Sequence, residues 1–167
     1  YERLVYASAK HVNILNVAPD LRDKVILING ASKAYAMTGW RIGYALGPKP
    51  LIAKMNTLQT HLTSNASSIA QWAAWGAVKD ADPDVEKMRE AFEERRGVIL
   101  GLVRDMPYVK VRDPEGAFYI FIDVRESPIP DDMKFCEKLL EEKFVAAVPG
   151  AAFYAPGFVR FSYACSM

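Results

Sequence analysis

The sequence predicts an α/β fold in two parts: strands with flanking helices, then a smaller α/β layer. Three observations carry this. Lys24-Val-Ile-Leu-Ile28 and Arg41-Ile-Gly-Tyr-Ala-Leu46 are apolar runs of the kind found in strands buried on both faces. A long helical period runs from Val85 to Met106. After Tyr108, short β-branched and aromatic stretches alternate with a helical one.

Tyr1 to Val5 is short, aromatic and β-branched, and reads as a strand end. The 24–28 run leads into Asn29-Gly-Ala-Ser-Lys33, whose Gly and Ser announce a turn, and the 41–46 run is closed by Gly47-Pro48. Pro48 to Leu58 and Ser67 to Lys79 have helical patterns. The next helix starts at Pro83 or Asp84 and ends at Pro107. Its apolar face is predicted as Val85, Met88, Phe92, Ile99, Leu102 and Met106. Strands follow at Tyr108–Val111, Ala117–Val124, Val145–Val148 and Phe158–Tyr163, with a helix from Asp131 to Lys143. Asp80-Ala-Asp-Pro83 is the expected junction, dividing the chain into 1–81 and 82–167.

Composition narrows the function classes. The 167 residues are 51% apolar and 25% charged, which suits a packed core and excludes a disordered tail. A net charge of +1, from 21 Lys+Arg against 20 Asp+Glu, advertises neither nucleic acid nor an anionic membrane as partner. No apolar stretch reaches the length of about 18 residues that suggests a membrane span. Cys136 and Cys165 have no CxxC spacing and no nearby His, so two reduced, packed thiols are expected and no metal. His11 and His61 lack the spacing of a metal site or a triad. Because the chain opens on Tyr rather than Met and stops just after a strand, its length reads as a piece of a longer protein.

One segment carries chemistry: Asn29-Gly-Ala-Ser-Lys-Ala-Tyr-Ala-Met-Thr-Gly-Trp-Arg-Ile-Gly-Tyr44. A strand followed by a Gly/Ser turn holds Lys33 at a sheet edge, where α/β folds place their ligands. Partial desolvation there makes a lysine nucleophilic toward a carbonyl. Arg41, always charged and fork-shaped, suits a phosphate. Ser32 and Thr38-Gly39 add small donors. Together they describe a Schiff-base lysine beside a phosphate clamp, although on spacing alone both charges also read as solvated loop residues.

Ser32-Lys33-Ala-Tyr-Ala-Met-Thr-Gly-Trp-Arg41-Ile-Gly resembles the lysine motif of the class I/II pyridoxal-phosphate aminotransferases, the fold type I family typified by aspartate aminotransferase. Tyr1-Glu-Arg-Leu-Val-Tyr, Leu62-Thr-Ser-Asn-Ala-Ser-Ser-Ile-Ala-Gln71, Pro114-Glu-Gly-Ala-Phe-Tyr, Pro149-Gly-Ala-Ala-Phe and Val159-Arg160-Phe-Ser-Tyr resemble further family segments in the same order. The resemblance implies the C-terminal part of that fold: a partial mixed or parallel sheet of the large cofactor domain (1–81) and a small α/β domain lacking its last helix (82–167). The pyridine-nitrogen aspartate and the phosphate loop would lie upstream of Tyr1.

The resemblance also implies roles. Lys33 matches the lysine that forms the aldimine with pyridoxal 5'-phosphate and then shuttles the substrate's proton. Arg41 and Ser32 match phosphate contacts, with a salt bridge to a sheet-edge carboxylate as the ordinary alternative for Arg41 and a turn role as that for Ser32. Tyr1 matches the tyrosine that hydrogen-bonds the cofactor's phenolic oxygen, and Arg160 the arginine that binds the substrate α-carboxylate, with an exposed strand-end charge as the ordinary alternative for Arg160. Ser64 and Asn65 match a segment facing the partner subunit, so a homodimer is implied; helix capping is the alternative. Gly30 stands where family members with a hydroxyl three residues before the lysine have serine, which puts that contact in doubt here. Trp40, Tyr35 and Tyr44 are expected to pack.

The implied activity is transamination between an L-amino acid and a 2-oxo acid in the cytoplasm, without nucleic acid or membrane as partner. No arginine occurs between Arg41 and Arg89, where one aspartate-specific subgroup carries its side-chain carboxylate ligand. That leaves the other aspartate-type subgroup or an aromatic or broad-specificity enzyme. A β-lyase or synthase of the same fold, and a ligand-sensing domain of a transcription regulator, are the alternatives. The 167-residue piece alone is expected to be inactive, since much of the cofactor's surroundings would lie outside it.

Overall fold

Two irregular stretches of chain frame the first strand pair, and their local chemistry sets where that pair begins. A computed structural model describes residues 1–6 and 9–167. It divides into two compact units, the first Tyr1–Arg3 with Lys10–Lys87 and the second Leu4–Ala9 with Met88–Met167.

In the first unit, Asn13 and Asn16 form reciprocal side-chain-to-backbone hydrogen bonds that cap a single helical turn, α1 (Ile14–Val17). Pro19–Lys24 is a 3-10 helix. The strand β1 therefore runs over Leu27–Gly30, later than the 24–28 expected, because the 3-10 helix holds Lys24. β1 pairs antiparallel with β2 (Gly43–Leu46), in register from Leu27↔Leu46 to Gly30↔Gly43. Such antiparallel neighbours are common within mixed sheets. Between them lies α2 (Ala31–Ala34). The helices α3 (Lys49–Thr63) and α4 (Ser68–Asp80) follow, and Ser67 Oγ caps α4 by accepting from the Ala70 N–H.

Burial in this pair departs from expectation. Ile28 is 77% exposed and Leu46 59%, so neither strand is covered on both faces. Among the described residues β1 and β2 pair only with each other. Trp40 and Tyr44, expected to pack, are also exposed. Trp40 closes a short 3-10 turn, and Tyr44 stands on this open strand pair.

The second unit is built on the antiparallel sheet β3 (Lys110–Val111), β4 (Tyr119–Asp123), β6 (Phe158–Ser162) and β5 (Val148–Pro149), in that spatial order. Strand alternation sends Ile120, Ile122 and Val159 into the core with Phe92, Leu100, Val103 and Cys136. Residues 1–5 do not form a strand; Val5 makes one isolated bridge to Gly116.

Helix α5 (Asp82–Arg104) includes the division between the units, at Lys87/Met88. Its buried face is Val85, Phe92, Leu100 and Val103, with Leu102 and Met106 exposed, contrary to the predicted stripe. Three turns are about eleven residues, so Val103 rather than Leu102 returns to the side of Phe92. Helix α6 (Asp132–Lys143) starts at the Asp131 cap, which accepts from the Lys134 N–H at 3.0 Å. Both cysteines are free, but only Cys136 is packed; Cys165 lies exposed in the irregular tail after β6, where no strand alternation turns it inward.

Asp132 is buried, and N–H groups of Gly157 and Ala151 hold its carboxyl below the usual range. Arg125 holds Asp123 down to about 2. A carboxyl depressed in the folded state stabilises it fully above the unfolded pKa and loses that contribution as pH falls through the folded value. Urea denaturation should therefore show constant stability from neutral pH to about 5, then a decline toward pH 2. Asp132→Asn is expected to be less stable at neutral pH and to lose part of that acid slope.

Candidate active site

The turn after β1 orients its residues by a short helical period. Ala31 and Ala34, three apart in α2, are buried, which leaves Ser32 and Lys33 on the half-exposed side. Gly30 caps this helix, and its N–H donates to the Asn29 side chain at 2.7 Å. Asn29 Nδ2 donates in turn to Glu2 Oε1 at 2.8 Å, which ties the segment of Tyr1 to the strand end. Tyr1 itself is exposed.

The loop returning to β2 is fastened to α2 from the other side. Thr38 Oγ1 donates to the Ser32 carbonyl at 3.0 Å, and Arg41 donates from its guanidinium to the Thr38 carbonyl at 3.0 Å. Arg41 has a left-handed backbone, φ 52°, uncommon for a residue with a side chain. The sheet-edge salt bridge weighed for Arg41 does not occur: among the described residues no carboxylate lies within ion-pair distance of it. Four of its five N–H donors stay available. An amine, a hydroxyl and an uncompensated guanidinium, strung on one hydrogen-bonded loop, form a donor set suited to an aldehyde that carries a phosphate.

Arg160 belongs to the second unit, on the sheet face opposite the core. It sits at the centre of β6, opposite Phe121 of β4 and Val148 of β5. Its guanidinium carbon lies 4.4 Å from the Tyr119 ring centroid and 4.5 Å from that of Phe153. No ion pair neutralises it among the described residues. It borders an apolar groove of about 710 Å³ lined also by Phe121, Phe158 and Lys110.

The family model for aminotransferase class I and II matches residues 1–167. This chain belongs to that family. Its aspartate aminotransferase relative from Geobacillus stearothermophilus is 46% identical over 171 aligned residues, covering 100% of this chain and 44% of the relative. The solved aspartate aminotransferase of Rhizobium meliloti superposes with a TM-score of 0.92 at 40% identity, covering 99% of this chain and 44% of that one. The aromatic aminotransferase of Pyrococcus horikoshii superposes at 0.92 with 36% identity, covering 99% and 45%. The chain thus spans less than half the length of these aminotransferases.

Ser64 and Asn65 are exposed between α3 and α4 in this aminotransferase chain, and Ser64 has φ 61°. Ser64 occupies the C-cap position of α3, and Ser67 caps the start of α4. His11 and His61 are exposed, and no metal-binding cluster occurs among the described residues.

Glu2, Asn29, Tyr119 and Phe153 lie in the segments singled out in the sequence, but no individual role is predicted for them there. Tyr119 was findable, because it shares a strand face with Phe121 by simple alternation. The Glu2–Asn29 bond joins residues 27 apart and has no local signal. Asn29→Ala removes both of its hydrogen bonds and is expected to cost about 1–2 kcal/mol, measurable by urea denaturation.

Proposed function

We propose that this chain is the lysine- and arginine-bearing part of a pyridoxal-phosphate-dependent aminotransferase, which moves an amino group between an L-amino acid and a 2-oxo acid. The observation that carries the reading is Lys33 beside the Ser32–Thr38–Arg41 loop, where the guanidinium is uncompensated among the described residues. Family membership over the whole chain supports it. The first unit then corresponds to the back of a cofactor domain and the second to a small domain.

In this reading Arg41 and Ser32 would hold the phosphate of pyridoxal 5'-phosphate, and Tyr1 would donate its phenolic O–H to the cofactor's phenolic oxygen. When bound, the cofactor supplies an electron sink that lets the Cα–H bond of an amino acid be broken. Lys33 would take the proton from Cα of the amino acid as general base and, in the reverse half-reaction, deliver one to Cα of the 2-oxo acid. Its place on a short helix pinned at both ends limits the positions its amine can sample. Arg160 would take the substrate α-carboxylate through a bidentate fork, with its guanidinium lying over the Tyr119 and Phe153 rings.

Relatives named for aspartate and for aromatic substrates support an aspartate-type or aromatic amino acid as donor. The exposed Ser64-Asn65 turn supports a homodimer in which this segment meets the partner subunit. No described helix is long and apolar enough to cross a membrane. The free thiols fit a reducing compartment, the cytoplasm.

The full-length protein mixed with pyridoxal 5'-phosphate should develop a visible absorbance band and transaminate aspartate or an aromatic amino acid. Lys33→Ala should abolish the band and lower kcat by at least about a thousandfold. A band and turnover unchanged in Lys33→Ala would refute the assignment.

A further inference from the structure

Asp132 is the one buried charged side chain among the described residues, at 5% exposure, and the proposed chemistry does not use it. It has no cationic partner among the described residues. Instead its two oxygens accept from two backbone amides of one loop, Ala151 N–H at 2.8 Å and Gly157 N–H at 3.0 Å. Those amides lie on either side of Phe153, so one carboxylate fastens both ends of the segment carrying that ring.

The loop is tightly folded between these points. Gly150–Phe153 forms a 3-10 turn, and Ala155 N–H donates back to the Gly150 carbonyl at 3.0 Å. A Cβ at Gly150 would lie 2.1 Å from the Ala155 carbonyl oxygen and 2.6 Å from that of Phe158. The ring that this loop presents meets Phe121 edge-on, with centroids 6.2 Å apart, and lies 4.5 Å from the Arg160 guanidinium carbon.

We propose that Asp132 is a positioning residue for Arg160, acting through the 150–157 loop and the Phe153 ring. This rests on the reading of Arg160 as the substrate-carboxylate ligand. A cation over aromatic rings uses its delocalised charge for that contact and keeps in-plane N–H donors for a planar carboxylate. Restricting a long, rotamer-rich side chain before substrate arrives lowers the ordering cost of binding. Asp132 therefore contributes to substrate affinity without touching substrate.

The test uses the full-length holoenzyme, with succinate as a dicarboxylate that has no amino group to transfer, followed by calorimetry and by steady-state kinetics. Asp132→Asn should weaken succinate binding and raise KM roughly tenfold, with kcat changed less than about twofold. Phe153→Leu should do the same, Phe153→Tyr should restore binding, and the double variant Asp132→Asn/Phe153→Leu should be no weaker than either alone. Ala151→Pro removes one amide donor while leaving the acid in place, and gives a smaller loss of about threefold in the same direction; it decides the matter should Asp132→Asn fail to fold. Folded Asp132→Asn or Ala151→Pro protein that binds succinate like the parent, while Arg160→Lys does not, overturns the positioning role and leaves the carboxylate assignment standing. Unchanged binding in Arg160→Lys overturns both.

Discussion

The pairing of β4 with β6 sets most of what the second unit can do. From Tyr119↔Ser162 to Asp123↔Phe158, each residue of one strand has a fixed partner on the other. Side chains alternate, so Ile120, Ile122 and Val159 enter the core while Tyr119, Phe121, Phe158 and Arg160 share the other face. A slip of one residue would bury the guanidinium and expose the aliphatic face. The same hydrophobic pattern that forms the core thus also puts an arginine among aromatic rings.

That register is reinforced from its end. Tyr6 and Tyr163 both donate their hydroxyls to the Ala117 carbonyl, from residues far apart in the chain. Burial pushes both phenols above their ordinary range, so they remain donors at any physiological pH. Ala117 has φ 61°, and its N–H donates to the Leu4 carbonyl. The Arg96 guanidinium, 5.7 Å from the Tyr6 ring, donates from Nε to the Pro114 carbonyl at 2.6 Å. A turn that feeds β4 is thereby held by side chains from three separate stretches of sequence.

Much of this was legible in the residues, and the failures have physical causes. Helices α4 and α6 start where Ser67 and Asp131 announce caps, since a cap is a local hydrogen bond written in neighbouring residues. The motif around Lys33 and Arg41 stood out for the same reason: strand, turn and charged residues are contiguous. The buried face of α5 was misread at Leu102 because an apolar side chain at near-helical spacing looks the same on either side of the stripe. The exposure of Ile28 and Leu46 is that of a chain spanning less than half the length of its relatives, so the apolar runs of β1 and β2 record what those strands are suited to lie against. Asp132 sits beside the true cap residue and reads as an ordinary first-turn acid. Only the fold brings Ala151 and Gly157 to it.

The left-handed backbone at Arg41 sets two demands against each other. Glycine adopts φ 52° without steric penalty, whereas a residue with a Cβ pays about 1–2 kcal/mol for it. Arg41→Gly would relieve that cost while deleting the guanidinium, so a search for stabilising substitutions guided by backbone geometry alone would select the very change that removes the proposed phosphate contact.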